Sequence, residues 1–466
     1  MTSPLLAEAH SSERPSPAPV PADARGALLL NGPILPTLLR LSLPNLIAQC
    51  SSAIVSIAET AYVGSLGVAS LGGIALAFPI FMLMQMLSAG AMGGTVSGAI
   101  SRALGAGQRE RAGELALCAL VIALAFGIAF ALGVRIAGPA IYRLLGGSGP
   151  VLGQALAFSN VAAWGIAAIW LANILASIAR GSGNMALPAV TLLAAGVLQV
   201  LVGGALGLGI GPIPRLGMAG VAAGQVVAFA LAASFLLWRQ LDGTARLPLQ
   251  LSAWRLSAAR FAELLRIGLI AMCSPLLSVA AILVLTGLVA RFGAEALAGY
   301  GIGVRLEFLL IPIAFSIGIA SIPMVGTAMG ASRPVRARRI AWAAGLLAAA
   351  ALGTLGLVAA AFPGLWADLF SAEPAVRAAA YGYLGIAGFA FGFFGLGLCL
   401  YFASQGAGHV GGPIGAQALR LAVIVAGGSL IVARGAPLAS VFVLSATAMT
   451  VMGLGTALFV KLTRWN

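Results

Sequence analysis

The chain is poor in charged residues, in histidine and in cysteine. Charged side chains make up 8% of its 466 residues, whereas soluble domains carry about 25%, so an ordinary soluble protein is excluded. There are only two histidines and four cysteines, and the cysteines show no metal-site spacing. This argues against a metal centre and against a disulfide framework. The sequence therefore predicts no bound metal and no cofactor.

What the chain has in excess is apolar sequence. Hydrophobic residues make up 61% of it, and blocks long enough to cross a bilayer, about 20 residues each, recur throughout. A β-barrel would need short alternating segments, which do not dominate. We therefore expect an all-α integral membrane protein with twelve spans, near residues 36–63, 70–100, 115–137, 152–178, 187–209, 216–239, 264–290, 298–326, 341–363, 377–403, 412–433 and 436–460.

The net charge of +14 would suggest a nucleic-acid partner in a soluble protein. Here the basic residues gather in alternate loops, with roughly threefold more on the side that holds both termini, which is the pattern of the positive-inside rule. We therefore expect no nucleic acid, the lipid bilayer as surroundings and both termini in the cytoplasm. The Pro-rich start, "ERPSPAPVPADAR", predicts a disordered cytoplasmic tail over residues 1–33.

An internal repeat divides the chain. "TLLRLSL" at Thr37 matches "ELLRIGL" at Glu263, and "RALGAGQRERA" at Arg102 matches "TAMGASRPVRA" at Thr327. "GSGNMALP" and "GAGHVGGP", further along, keep nearly the same offset. We expect a six-helix lobe over 34–240, a cytoplasmic connector over 241–262 and a second six-helix lobe over 263–466. Six spans are an even number, so both lobes insert the same way up, related by a pseudo-twofold along the membrane normal.

The stretch "NLIAQCSSAIVSIAET" carries a polar stripe through an otherwise apolar span. Asn45, Gln49, Ser52, Ser56 and Glu59 follow at steps of three and four, which places them on one helix face. A charge inside a bilayer costs about 2.5–3.5 kcal/mol and usually faces a cavity. We therefore expect the stripe to line an aqueous cavity, with Glu59 binding either a proton or a cationic substrate. The alternative is a structural carboxyl bonded to a neighbouring helix.

Other polar residues lie within the predicted spans. Gln199 in "GVLQVLVGG" is a candidate hydrogen-bond partner of Glu59. Glu307 is a second candidate for coupling, and Arg305 is a candidate cavity residue; spaced i,i+2, they point to different faces. Whether these two act in transport or only tie helices together is open at this stage. Asn173 and Gln405 are weaker candidates for the cavity.

Several motifs resemble those of the multidrug and toxic compound extrusion (MATE) family: "LSLPNLIAQ", "AETAYVGSLGVASLGG", "RALGAGQRERA", "RGSGNMALP" and "QGAGHVGGP". The resemblance implies two six-helix lobes in a V-shaped arrangement and export of cationic or amphiphilic organic compounds by antiport with H⁺ or Na⁺. The family's span-1 acid falls on Glu59. Its span-5 acid falls on Gly203, with Gln199 at the amide position, and its acids of spans 7 and 10 fall near Ser274 and Phe402. The acids of spans 5, 7 and 10 are absent from these positions, whereas the span-1 acid is present as Glu59.

A Na⁺ site wants several oxygen ligands, so the missing acids favour H⁺ as the coupling ion. We expect a monomeric, proton-coupled exporter of organic cations or amphiphiles in a bacterial inner membrane, and no enzymatic activity. A Na⁺-coupled antiporter and a lipid-linked precursor flippase are the alternatives; the flippase would need a basic cavity, for which Arg305 and Arg420 are the intramembrane cations. A membrane enzyme would need paired acidic motifs or histidine clusters, which the sequence lacks.

Overall fold

The computed structural model describes residues 24–212, 214–243, 247 and 256–465, without the side chain of Ala53. Within these residues the fold is entirely helical, and twelve helices are long and apolar enough to cross a membrane. Two short helices, Ala24–Asn31 and Gly364–Ala367, lie outside them. The spans are, in order, Ile34–Ser65, Val68–Gly105, Arg109–Leu144, Gly149–Gly181, Ala186–Leu208, Met218–Leu241, Ala258–Ala290, Ala294–Gly330, Pro334–Ala361, Pro374–Ala407, Gly411–Arg434 and Leu438–Leu462.

The expected number and order of spans are confirmed, but most helices are longer than the apolar blocks that reveal them. Span 3, for example, begins at Arg109 and carries Glu110 in its first turn. Hydropathy detects only the part of a helix that matches the hydrocarbon, whereas the helix continues into the polar interface. The charged ends of the spans therefore lie outside the predicted ranges.

Two spans are not continuous α-helices. Span 2 consists of Val68–Gln85, a π-helical segment Met86–Met92, and Gly93–Gly105. Span 10 consists of Pro374–Ala387, a 3₁₀ turn Gly388–Ala390, and Phe391–Ala407. The repeat-related spans 8 and 4 are unbroken, so the two lobes differ at these points.

The beginnings of spans 1 and 7 are exchanged between two apolar cores. One core is built mainly from spans 2 to 6 and the other mainly from spans 8 to 12. Leu38 and Leu41 of span 1 pack in the second core, and Leu264 of span 7 packs in the first. This reciprocal crossing is what a pseudo-twofold between the lobes requires.

The prediction of a disordered tail over residues 1–33 is wrong for residues 24–31. Residues Ala24–Asn31 form a helix whose Leu29 and Leu30 are each 1% exposed. Arg333 donates to the Asn31 side chain at 2.9 Å, and Arg336 donates to the Gly32 carbonyl at 2.5 Å. The run of three leucines before Asn31 gives this segment an apolar face that the Pro-rich sequence before it lacks. The first 23 residues, and residues 244–246 and 248–255 of the predicted connector, lie outside the described part of the chain.

Candidate functional site

Glu59 and Gln199 are in direct contact, as their positions in the sequence predict. The Gln199 Nε2 donates a hydrogen bond to the Glu59 Oε1 at 2.8 Å, joining spans 1 and 5. Gln199 is 8% exposed, and Glu59 is half-buried. The carboxyl is thus held by an amide, and part of the Glu59 residue stays accessible.

Tyr62 completes this site and was not singled out from the sequence. It follows Glu59 by three residues and so lies on the same face of span 1, where it interacts electrostatically with the carboxyl. Its hydroxyl is buried and makes no hydrogen bond of standard geometry. A Cβ at Gly203 would lie 3.0 Å from that hydroxyl oxygen. The phenol therefore fills the space that the side chain of the family's span-5 acid would occupy at Gly203.

The site that results has one carboxyl, one amide and one phenol. Hard metal cations are normally held by several oxygen ligands at once. Among the described residues, no group of three or more His, Cys, Asp or Glu side chains converges. The arrangement suits the binding of a single proton or of one cationic group.

The rest of the polar stripe has mixed surroundings. Asn45, predicted to line the cavity, is buried instead, and its Nδ2 contacts the Leu41 carbonyl at 3.4 Å and the Met185 sulfur at 3.5 Å. Its amide therefore fixes the start of span 1 to the segment after span 4. Gln49 is half-buried, whereas Ser52 and Ser56 are exposed. The Ser52 hydroxyl bonds back to its own helix at the Ala48 carbonyl.

Asn173 belongs to a separate polar cluster at the π-helical segment of span 2. Its Nδ2 donates to the Gln85 Oε1 at 2.6 Å and to the Ser88 Oγ at 2.8 Å. π-Helical segments inside α-helices occur frequently at functional sites. Gln85 was missed in the sequence, although a lone amide within the apolar run "FPIFMLMQML" was a usable signal.

In the second lobe, Glu307 and Arg305 lie on different faces of span 8, as their spacing predicts. The Tyr383 hydroxyl of span 10 donates to the Glu307 carboxylate, and Glu307 is half-buried. Arg305 is exposed, and its guanidinium lies 5.6 Å from the centre of the Phe370 ring. The two charged side chains therefore have different neighbours.

Gln405 does not line a cavity, contrary to the prediction. It is fully buried where span 10 meets span 2 of the other lobe, and its Nε2 lies 3.4 Å from the Gly90 carbonyl oxygen. A Cβ at Gly94 would lie 1.6 Å from the Gln405 Oε1, and one at Gly98 would lie 2.5 Å from the Gln405 carbonyl oxygen. The sequence places this amide next to a turn, but the residues that bury it come from the other half of the chain.

This contact is part of a tight seam between the lobes. Within it, Arg102 donates from Nη1 to the carbonyl oxygens of Gln405 and Gly406, at 3.1 and 2.9 Å. A Cβ at Gly105 would lie 2.3 Å from the Thr327 carbonyl oxygen. Backbone therefore contacts backbone across the seam, and the glycines are what allow this approach.

The seam lies at the face of the molecule where span 6 ends and span 7 begins, which we call the connector face. Two ion pairs join spans 3 and 7 at the same face: Arg111 to Glu263 at 3.1 Å and Arg260 to Glu114 at 2.9 Å. Toward the opposite face, the Val68–Gln85 part of span 2 packs mainly within its own lobe. The structure is thus closed between the lobes at the connector face.

Comparison with known proteins shows to which family this architecture belongs. The profile of the MatE family matches residues 44–204 and again residues 271–431. The chain belongs to the MatE family. In this MATE protein the two matches begin 227 residues apart, in agreement with the duplication read from the sequence, and each match includes most of one lobe. MATE proteins are multidrug efflux transporters, so the expectation of a membrane transporter is confirmed.

Three relatives of known or assigned function are between 23% and 28% identical to this chain. This MATE protein is 27% identical over 318 residues to the FAD transporter of Shewanella oneidensis, covering 67% of this chain and 69% of the relative. It is 23% identical over 343 residues to the probable multidrug resistance protein NorM of Thermotoga maritima, covering 73% of each. It is 28% identical over 272 residues to the multidrug export protein MepA of Staphylococcus saprophyticus, covering 58% of this chain and 59% of the relative.

Solved structures share the fold over nearly the whole chain. A MOP superfamily transporter from Pyrococcus furiosus, whose binding pocket of reverse polarity is said to suggest a different function, superimposes with a TM-score of 0.85. Its identity is 20%, and the match covers 94% of this chain and 97% of that one. A MATE transporter in an outward-facing conformation gives a TM-score of 0.84 at 21% identity, with 94% and 97% coverage. The all-α fold with twelve spans is therefore confirmed.

Proposed function

We propose that this MATE protein exports cationic or amphiphilic organic compounds by antiport with H⁺. The observation that carries the proposal is the half-buried Glu59 held by Gln199, with Tyr62 filling the place of a second acid. One carboxyl beside an amide binds either a proton or a cationic group, since either neutralises the same charge. The proposal includes a multi-pass position in a bacterial inner membrane, with both termini and the connector face in the cytoplasm.

Exchange follows from competition at Glu59. By linkage, if a bound proton weakens the binding of cargo, bound cargo weakens the binding of a proton by the same factor. A proton arriving from outside would release the cargo, and cargo arriving from inside would release the proton. The closed connector face then corresponds to the state in which the site exchanges with the exterior. The inward state requires the seam to open.

Three alternatives have different support. Coupling to Na⁺ is disfavoured by the small number of oxygen ligands around Glu59. A substrate that also carries acidic groups is favoured by Arg420, which is buried in the second lobe, and the FAD transporter relative is named for such a compound. A lipid-linked precursor, also acidic, would meet the same side chain. Glu307 remains a second candidate for proton binding.

The test is transport by the full chain reconstituted in proteoliposomes. Accumulation of the fluorescent cation rhodamine 123 is measured with an acid lumen and no Na⁺ gradient, and then with a Na⁺ gradient at constant pH. We expect accumulation only in the first case, and accumulation driven by Na⁺ alone would refute H⁺ coupling.

The variant Glu59→Gln should reduce proton-driven accumulation about tenfold or more, the scale of a lost coupling energy of about 1–3 kcal/mol. Glu295→Gln is the matched control, because Glu295 is an exposed acid in the first turn of span 8. It should transport like the unchanged protein. Normal transport by Glu59→Gln would remove Glu59 from the mechanism.

A further inference from the structure

Arg420 is a buried cation with almost nothing to bind. It lies in span 11 and is 7% exposed. Its Nη1 points at the Met452 sulfur at 3.7 Å, a weak acceptor, and its Nε has no hydrogen-bond partner. The guanidinium lies 5.8 Å from the centre of the Phe394 ring. A buried arginine normally has its donors satisfied by an anion or by carbonyl oxygens, because an unpaired buried charge is costly.

Glu307 is the acid that interacts electrostatically with Arg420, but the two do not form an ion pair. Among the described residues, no carboxylate oxygen lies within the 4.0 Å of an ion-pair contact to this guanidinium. Glu307 instead accepts a hydrogen bond from Tyr383. The arginine and the acid are therefore held apart, each by neighbours of its own.

The cluster is held in place, and two of its members are only half-buried. Gln417, one helical turn before Arg420, is hydrogen-bonded to the Ser274 hydroxyl at 2.8 Å, which fixes this face of span 11 against span 7. Glu307 and Phe394 are half-buried, so part of each stays accessible. The 3₁₀ turn Gly388–Ala390 interrupts span 10 between Tyr383 and Phe394. Broken helices of this kind lie at substrate sites in transporters.

We propose that Arg420 and the ring of Phe394 form a second ligand subsite, which takes the acidic group, carboxylate or phosphate, of an aromatic amphiphile. The guanidinium pairs with the acidic group, and the phenyl ring packs against the aromatic part. Glu307, beside it, suits a cationic group on the same molecule, so the cluster fits zwitterionic compounds. The subsite rests on the proposed export function, since it specifies the cargo, but it is separate in space from the Glu59 site in the first lobe.

The test uses two dyes that differ in one group. Rhodamine 123 is the methyl ester of rhodamine 110, so the two share the cationic ring system and only the free acid carries a carboxylate. Equilibrium binding of each dye is measured by fluorescence anisotropy to the purified full chain in dodecyl maltoside, with no ion gradient. Binding is thereby separated from coupling: Glu59→Gln can fail to transport and still bind rhodamine 110 through the second lobe.

The variant Arg420→Gln should weaken the binding of rhodamine 110 about tenfold, the scale of a charge-assisted hydrogen bond, and leave rhodamine 123 within about twofold. Arg420→Lys keeps the charge without the planar fork and should fall between. Arg135→Gln is the matched control, because Arg135 also lies over an aromatic ring, that of Trp164, at the far end of span 3. It should bind both dyes like the unchanged protein.

Equal effects of Arg420→Gln on both dyes, or none on either, would overturn the subsite and leave Arg420 as a packing residue. Should Arg420→Gln fail to give a monodisperse protein, Arg420→Met, which places an apolar side chain of similar length in this buried position, must show the same selective loss. Phosphatidylglycerol is then titrated into the micelles. If it displaces rhodamine 110 at concentrations that leave rhodamine 123 bound, the subsite holds a lipid headgroup and its assignment to cargo is wrong.

Discussion

At the scale of residues, the surroundings of Glu59 are set by neutral groups. Gln199 provides the hydrogen bond, and Tyr62 provides bulk where a second acid would stand. A single carboxyl can bind only one proton at a time, so this site supports a simple exchange of one proton for one cationic group.

Tyr62→Phe should leave the stability of the protein almost unchanged, within about 0.5 kcal/mol. The buried Tyr62 hydroxyl makes no hydrogen bond of standard geometry, and its interaction with Glu59 is a weaker one, so removing the hydroxyl should cost little. Tyr142→Phe is the matched comparison, because the Tyr142 hydroxyl and the Ser159 hydroxyl are 2.5 Å apart. It should cost about 1–3 kcal/mol. Thermal unfolding in detergent measures both, and an equal loss in the two variants would contradict this account of Tyr62.

The pairing of Glu59 with Gln199 could be predicted from sequence because each is a lone polar residue in an apolar span. Such residues have few possible partners inside a bundle. The position of the Tyr62 hydroxyl against Gly203 could not be predicted, since it depends on how closely spans 1 and 5 approach. The assignment of Gln405 to a cavity was wrong because its burial depends on glycines of the other lobe. No local sequence pattern reveals that packing.

At the scale of helices, the π-helical segment of span 2 begins beside a polar contact with span 4. Gln85, just before the segment, and Ser88, within it, both lie within hydrogen-bond distance of one amide, that of Asn173. The interruption is absent from span 8, its repeat. The duplication therefore preserved the path of the chain but not the local winding, and the two lobes carry different polar groups.

Asn173→Leu should destabilise the protein by about 1–3 kcal/mol, because Gln85 and Ser88 lose their partner in a buried place. Asn160→Leu makes the same change on the same span at an exposed position and should cost less than about 0.5 kcal/mol. Thermal unfolding of the two variants gives the comparison. Similar losses would mean that the Asn173 cluster is not a stabilising contact.

At the scale of the whole molecule, closure depends on backbone contact across the seam. Gly98 of the first lobe faces the Gln405 carbonyl of the second with no room for a methyl group. A side chain there must push the lobes apart at the connector face, whereas the opposite face has no equivalent constraint among the described glycines.

Gly98→Ala should therefore shift the population toward opening at the connector face. The measurement is maleimide labelling of Ser101→Cys, a position that is fully buried in the seam, in a background without the four natural cysteines. Labelling should be about tenfold faster with Gly98→Ala. Gly133→Ala is the control, because a Cβ there meets nothing within 4 Å. Unchanged labelling with Gly98→Ala would show that the seam tolerates the methyl group without opening.

The crossing of the first turns of spans 1 and 7 has a consequence for assembly. Each half of the duplicated chain supplies a few leucines to the interior of the other, so neither half can complete its own interior alone. A protein severed between residues 243 and 256 should accumulate only when both fragments are produced in the same cell, and each fragment by itself should be degraded. What began as two similar copies is thus an obligate pair, joined by mutual insertion as well as by the peptide between them.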